Sequence, residues 1–230
     1  MSRHGTGESD YERYIRTDEL LSLQKKTTSL ANHEELFFQC IHQAMELWFK
    51  VAGFELEKIA RFVDGDDLER GAWHLRRTAH MLDHVGDGLP LLETLAPADY
   101  HEIRLALGRG SGQDSPGFKL ILDELPRLWA PFERTLDRHG VTLLAVFQTP
   151  HAPTHQGLFR VAQGYLQLDE AFQRFRYDHL QLARREIGLA VKSLKGVPAR
   201  NLEQGVLKPA YPALWTVIEE LTISTNPVYG

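Results

Sequence analysis

Two of the eleven histidines have neighbours that suit chemistry, and the first of these is His179. It ends the segment Phe172-Gln-Arg-Phe-Arg-Tyr-Asp-His179, which is rich in aromatic residues and arginines. A haem needs an axial imidazole, aromatic walls against the porphyrin and cations near its propionates, and this segment offers all three. An amphipathic helix in any helical bundle can have the same composition, so both interpretations remain open at this point.

The second histidine is His42. Phe38 lies four residues earlier on the same helix face, and Cys40, Ile41 and Met45 are apolar, so the imidazole is predicted to face an interior or a cleft. Six other histidines are interpreted as ordinary surface or core-edge residues: His4, His74, His80, His84, His139 and His151.

Tyr100 and Arg104 form a third constellation, four residues apart and just before a glycine-rich loop. An arginine on that face can grip a carboxylate in bidentate fashion. The alternative is a surface ion pair with an acidic neighbour such as Glu93 or Glu102. Ser111, in the glycine-rich loop, could add a polar contact to a ligand.

The elements that must position these side chains are helices. Apolar residues recur at helical spacing from Asn32 to about Val63, with Asn32 as N-cap and Glu35 in the capping-box position. Further helical segments are predicted at about 67–85, 97–107, 117–138 and 155–192. Strict alternation of apolar residues is rare, so the sequence predicts an all-α helical bundle, a fold that can leave a cofactor slot between facing helices.

Length and composition favour one domain. The 230 residues, 43% of them hydrophobic, suffice for one large core, so residues 11–230 are predicted to form a single domain behind a mobile leader at 1–10.

The net charge of −5 argues against nucleic acid and anionic lipid as partners. A single cysteine excludes a disulfide framework and fits a reducing cytoplasm. No segment has the pattern of a signal peptide or a membrane span.

Four segments, taken in order, resemble the tryptophan 2,3-dioxygenase family, whose haem enzymes open the indole ring with molecular oxygen. The matching segments are Tyr11-Glu-Arg-Tyr14-Ile15-Arg-Thr-Asp-Glu-Leu-Leu, His33-Glu-Glu-Leu-Phe-Phe38-Gln-Cys-Ile-His42-Gln-Ala-Met-Glu-Leu-Trp-Phe-Lys, Tyr100-His-Glu-Ile-Arg104 with Gly-Arg-Gly-Ser111-Gly, and Phe172-Gln-Arg-Phe-Arg-Tyr-Asp-His179. The resemblance implies a haem b cofactor, held between long helices.

The resemblance also implies roles for individual residues. His179 would be the axial iron ligand and His42 the distal histidine beside the oxygen and the indole nitrogen. Phe38 would be a wall of the pocket, and Arg104 would pair with the carboxylate of an amino-acid substrate. Tyr100 and Ser111 would line the pocket near the substrate or the haem.

Assembly is a further implication, because the family is tetrameric and completes its sites across an interface. Tyr11, Tyr14 and Ile15 would then reach into a neighbouring subunit's pocket. We therefore expect a homo-oligomer, either a tetramer or a dimer.

Two departures from the family pattern bear on the substrate. The stretch between Ser111 and His179 is several tens of residues shorter than is usual, so helices that cap the pocket are expected to be missing. The threonine and glycine-rich loop that follows the proximal helix is replaced by Lys192-Ser193-Leu-Lys-Gly-Val-Pro, with Ser193 where the threonine would be.

The predicted function is dioxygen insertion into the indole C2–C3 bond of L-tryptophan or a close analogue, giving an N-formylkynurenine-type product. One alternative is a haem-dependent mono-oxygenase of a tryptophan- or tyrosine-derived substrate in natural-product biosynthesis. Others are a non-catalytic haem sensor or carrier, against which His42 and Arg104 argue, and a helical adaptor without cofactor. Residues 113–168 have no predicted function.

Overall fold

The structure is a computed structural model that describes residues 9–108, 110, 112–191, 201–225 and 228. All regular secondary structure in these residues is helical, which confirms the all-α prediction. The α-helices are α1 (Asp10–Ile15), α2 (Thr17–Leu20), α3 (Glu34–Asp64), α4 (Leu68–Gly86), α5 (Gly88–Leu92), α6 (Pro97–Ala106), α7 (Pro116–Glu124), α8 (Trp129–His139), α9 (Leu143–Gln148), α10 (Gln156–Glu186), α11 (Asn201–Val206) and α12 (Pro212–Thr225). Short 3-10 turns occur at Thr27–Ser29, Gly112–Asp114 and Leu125–Leu128.

The core is built from α3, α4 and α10, which pack side by side. Each of these amphipathic helices turns an apolar stripe inward, and fully buried residues such as Ile59, Leu75 and Leu158 come from all three. Gly164 lets α4 and α10 approach closely, because a Cβ there would lie 2.7 Å from Cβ of Leu75. Helices α7 and α8 pack against α3, and α12 packs against α9.

The start of α3 differs from the predicted capping box. The helix begins at Glu34, whose N–H donates to Oδ1 of Asn32 at 3.1 Å, so Asn32 still caps the first turn. The side-chain amide of Asn32 also donates to the carbonyl oxygen of Asp99 at 2.9 Å, which ties α3 to α6. Glu35 reaches back to the N–H of Ala31, at 2.6 Å, and not to that of Asn32. The hydrogen bond to Asp99 of α6 holds the Asn32 side chain in place, which explains why the predicted capping box does not form.

Two predicted helices are shorter than their periodicity indicated. The segment 117–138 is divided by a 3-10 turn that contains Pro126, since proline lacks the N–H that a continuous helix needs. The segment 155–192 ends as a helix at Glu186, and Gly188 follows with a positive φ of 75°. His179 therefore lies in the C-terminal part of α10, two turns before the helix ends.

The predictions of a mobile leader and a single domain stay predictions. Ser9 caps α1 by accepting from the N–H of Glu12, so the described chain begins at a helix cap. No helix among the described residues is long and apolar enough to cross a membrane.

Candidate functional site

A cavity of about 480 Å³ lies between α3, α6, α7 and α10. Most of its lining is apolar, and a few polar side chains converge on it, as is typical of small-molecule sites. The structure brings His42, Tyr100, Arg104 and His179 to this one cavity, with Phe38 in its wall. Three separate segments of the sequence thus meet at one place.

His42 lies on α3 and is held by a local hydrogen bond. Its Nδ1 lies 2.8 Å from the carbonyl oxygen of Phe38. A carbonyl oxygen can only accept, so Nδ1 carries the proton and Nε2 is left as an acceptor. Burial lowers the pKa of His42, although the Phe38 carbonyl and the charge of Glu46 oppose that change. The imidazole is therefore neutral near pH 7.

His179 lies on α10, in another wall of the cavity. Burial and the nearby His42 lower the pKa of His179 to about 4, so its ring is neutral and its lone pair is available. No side chain or backbone group among the described residues makes a hydrogen bond to this ring. A Cβ at Gly112 would lie 3.3 Å from Nε2 of His179, so the glycine keeps that nitrogen uncrowded.

Aromatic rings surround the two imidazoles. The ring of Phe38 lies 4.0 Å from that of His42, measured between centroids, and 6.1 Å from that of Tyr100. The ring of Phe175 is nearly parallel to that of His179, with 6.2 Å between centroids. Such walls suit a flat, apolar ring system.

Tyr100 and Arg104 lie on α6, one helical turn apart. Burial raises the pKa of Tyr100, and so does the charge of Glu186, while the charge of Arg104 lowers it. Glu93 also lies near Arg185, and Glu102 accepts from Asn32, so a surface ion pair between Arg104 and either of them stays an alternative.

The arginines of the His179 segment do not line the cavity, contrary to the idea that they lie near haem propionates. Arg174 binds Asp83, with Nη2 at 2.7 Å from Oδ1. Arg176 donates to the carbonyl oxygen of Lys208 at 3.0 Å and stacks on Phe172. Both therefore stabilise the bundle.

The remaining predicted site residues lie elsewhere. Ser111 and Ser193 are outside the described residues. Tyr11, Tyr14 and Ile15 do not line the cavity of their own chain, and their exposed fractions are 69%, 87% and 41%. They lie on α1, a helix without buried residues.

Three acidic residues of the cavity wall escaped the sequence analysis, and two of them lie one or two helical turns after a predicted histidine. Glu46, one turn after His42, accepts from the Ser115 hydroxyl and, at 3.0 Å, from the N–H of Gly117, which fixes the start of α7. It also separates the cavity from a second, more open one of about 550 Å³ that shares His42. Glu186 is the other residue, two turns after His179 on α10. Helical spacing from each histidine was the signal that could have identified both.

The chain is similar to known proteins of one enzyme family. The profile described as "Tryptophan 2,3-dioxygenase" matches residues 2–128, more than half of the chain. The chain is 28% identical to the tryptophan 2,3-dioxygenase of Saccharopolyspora erythraea, with 93% of each protein covered. It is 26% identical to that of Herpetosiphon aurantiacus, covering 92% of this chain and 98% of the relative. For that of Myxococcus xanthus the identity is 27%, with 94% and 91% covered.

The relatives are longer within the matched region. The alignment with the Saccharopolyspora erythraea protein runs over 262 positions, although this chain has 230 residues, so that protein contains residues that this chain lacks. The alignment length does not locate these residues, so the shortening expected between Ser111 and His179 stays a prediction. The matched profile and the extent of these relatives place the chain in an enzyme family: it belongs to the tryptophan 2,3-dioxygenase family.

Proposed function

We propose that the protein is a haem-dependent dioxygenase that cleaves the indole C2–C3 bond of L-tryptophan or a close analogue. The observation that carries the proposal is the single cavity shared by His42, Arg104 and His179. Tryptophan and dioxygen would give an N-formylkynurenine-type product in which each carbon of the broken bond receives one oxygen atom. The family and the names of the relatives support this chemistry.

The residues present fit a haem. His179 offers a neutral imidazole with an uncrowded Nε2, and aromatic rings form the walls on both sides. No group of three or more His, Cys, Asp or Glu side chains in the described residues could hold a metal ion by itself. A haem needs few ligands from the protein, so the imidazole of His179 would suffice to hold it. Haem b, held by His179, would supply the redox-active iron that activates dioxygen.

His42 would position the substrate through its free nitrogen. Because Nδ1 donates to the Phe38 carbonyl, Nε2 can accept a hydrogen bond from the indole N–H. Phe38 restricts the rotation of the imidazole and offers a flat surface to the indole. The low pKa of His42 keeps this nitrogen unprotonated at neutral pH, so the same atom can hold the indole proton during the reaction.

Arg104 would bind the carboxylate of the substrate. A guanidinium holds a carboxylate through two parallel hydrogen bonds and so fixes its orientation. With the carboxylate held at α6 and the indole N–H held at α3, the C2–C3 bond has a defined place in the cavity. Tyr100 would line the pocket beside them, and Ser111 and Ser193, which lie outside the described residues, would add polar contacts.

The experiment begins with haem binding. The protein, purified with haem supplied and then reduced, is expected to show a Soret band that shifts when L-tryptophan is added without oxygen. Admitting oxygen should then produce the absorbance of N-formylkynurenine. His179→Ala should lose the haem, whereas His42→Ala should keep it and lose at least tenfold in turnover. Absence of a Soret band would contradict the proposal, and haem loss in the His42 variant would reverse the two histidine assignments.

The shorter chain favours one second candidate, a mono-oxygenase of an aromatic amino acid, because less of the protein is available to cover the cavity. Reaction with isotopically labelled dioxygen separates the two. Two labelled atoms in the product support the dioxygenase, and one supports the mono-oxygenase.

We also propose that α1 docks on a neighbouring copy of the chain and that Tyr11, Tyr14 and Ile15 contact that copy's cavity. Their exposure on a helix without buried residues supports this role. Tyr14→Ala should leave the fold intact, weaken assembly and lower substrate affinity, as measured by light scattering and titration. A monomeric wild-type protein in solution would contradict the docking.

A further inference from the structure

Glu186 is a buried carboxyl group without a hydrogen-bond partner in the part of the chain that the structure describes. Its exposed fraction is 5%, and it is among the few residues that line the cavity and carry a negative charge. Neither Oε1 nor Oε2 has a hydrogen-bond partner among the residues that the structure describes. Buried polar groups in folded proteins are almost always hydrogen-bonded, so an unpaired carboxyl in a cavity wall indicates a position for a ligand.

No cation among the described residues forms an ion pair with Glu186. The nearest cation along the chain, Arg185, has 60% of its side chain exposed and lies 4.0 Å from Glu93, measured between Nη1 and Oε2. Burial raises the pKa of Glu186, Glu93 raises it further, and Arg185 lowers it. A cation that entered the cavity would therefore find an acceptor that no donor among the described residues occupies.

Tyr100 connects Glu186 with the predicted carboxylate site. Its phenol is within electrostatic reach of both the cation of Arg104 and the anion of Glu186, which act on its pKa in opposite directions. Arg104 on α6 and Glu186 on α10 both line the cavity, which therefore presents a cation and an anion to a ligand. This arrangement is complementary to an α-amino acid, whose carboxylate and ammonium groups are attached to one carbon atom.

We propose that Glu186 binds the α-ammonium group of the substrate and so selects free amino acids over analogues without the amine. The inference rests on the proposed function in taking an aromatic amino acid as the ligand. An ammonium group has N–H donors for both carboxylate oxygens, whereas a hydroxyl group would satisfy only one. Glu186 lies two turns, about 10 Å, along α10 from His179, so the carboxylate is separate from the imidazole that would hold the haem.

The test compares ligands that differ only in the amine. L-tryptophan and indole-3-propionate are titrated into the holoenzyme by anaerobic calorimetry, as are L-tyrosine and 3-(4-hydroxyphenyl)propionate. The wild-type protein should prefer at least one amino acid over its des-amino analogue by more than tenfold. Glu186→Gln should weaken binding of that amino acid by about 10- to 100-fold and leave the des-amino analogue within about threefold, since one charge-assisted hydrogen-bonded pair is lost.

The control variant is Glu93→Gln, which removes a negative charge from the same neighbourhood but not from the cavity wall. It should change the affinity for amino acid and analogue alike. Glu186→Asp should retain part of the preference because it keeps the charge. Haem content and circular dichroism establish that each variant is folded.

The outcomes separate this inference from the proposed function. Equal losses for amino acid and analogue in Glu186→Gln, or a wild-type protein that binds neither amino acid, would overturn the inference. Binding that depends on Glu186 without any oxygenated product would support the inference and contradict the proposed function. Product formation with unchanged selectivity in Glu186→Gln would support the proposed function and contradict the inference.

Discussion

Two buried carboxylates on the same helix have opposite surroundings. Asp169, near the middle of α10, is fully buried and accepts hydrogen bonds from Nε2 of Gln173 at 3.0 Å, the N–H of Ala210 at 3.0 Å, the N–H of Tyr211 at 3.4 Å and Nε1 of Trp215 at 2.9 Å. Glu186, at the end of α10, is almost equally buried and accepts none from the described residues.

The difference separates a structural site in the middle of the helix, at Asp169, from a ligand-binding site at its C-terminal end, at Glu186. The donors of Asp169 come largely from the segment that leads into α12, so this carboxylate fastens the C-terminal part of the chain to the core. The bare carboxyl of Glu186 destabilises the fold until a ligand satisfies it. Such a local loss of stability is expected at sites that were selected for binding.

The largest effect on stability is expected at Asp169. Asp169→Asn should lower the free energy of unfolding by about 2–4 kcal/mol, because buried donors lose an anionic acceptor and face the new amide N–H groups. Urea unfolding of the holoenzyme, followed by circular dichroism, measures the change. The neighbouring Glu170→Gln, whose side chain is 47% exposed, should stay within about 0.5 kcal/mol of the wild type. Equal losses in the two variants would remove the contrast.

A substitution at Glu186 is expected to increase stability, whereas one at Asp169 decreases it. Glu186→Met keeps the length of the side chain and removes the unpaired carboxyl, so the free energy of unfolding should rise by about 1–2 kcal/mol. The same urea experiment applies. Asp169→Leu, which also replaces a carboxylate by an apolar side chain, should lose stability. If both variants change in the same direction, burial alone governs the two sites and their hydrogen bonds do not.

The pH dependence should follow Glu186 as well. Burial raises the pKa of this carboxyl, so the folded protein holds its proton more tightly than the unfolded chain does. The unfavourable contribution is therefore absent below the unfolded pKa of about 4.3, develops as the pH rises through the folded pKa and is complete above it. The difference in melting temperature between Glu186→Gln and the wild type should grow with pH from 4.5 to 8. A difference in melting temperature that shrinks over this range would contradict a raised pKa of Glu186. The variant Glu170→Gln is the control, because it also loses one carboxyl group.

The long helices and the histidine positions could be predicted from the sequence because their signals are local. Apolar spacing identified α3, and Pro97 identified the first turn of α6. The motifs around His42, Arg104 and His179 indicated that these residues act together, and the structure places them on one cavity. Periodicity suffices to predict each helix, whereas the joint role of residues on α3, α6 and α10 was implied only by the order of the motifs and their resemblance to the family.

Contacts between distant segments could not be predicted in this way. The donors of Asp169 lie some forty positions later, and nothing in the local pattern pairs them. Glu186 follows two arginines and looks like part of an exposed charged run, particularly when the helix is expected to continue to 192. Its position relative to His179 on the helix contained the information, but burial was visible only in the packed structure.

The smallest effect concerns a single donor of Asp169. Trp215→Phe removes the indole N–H that lies 2.9 Å from Oδ2 and leaves the other donors in place, so stability should fall by about 0.5–1.5 kcal/mol. Trp129→Phe is the matched control, since Nε1 of Trp129 donates to the exposed Glu133 at 2.7 Å and this half-buried ring loses a similar contact area. The Trp215 variant should lose more stability than the Trp129 variant, and Asp169→Asn should abolish that excess in a double mutant. An excess that persists would show that Trp215 stabilises the protein through packing and not through the carboxylate.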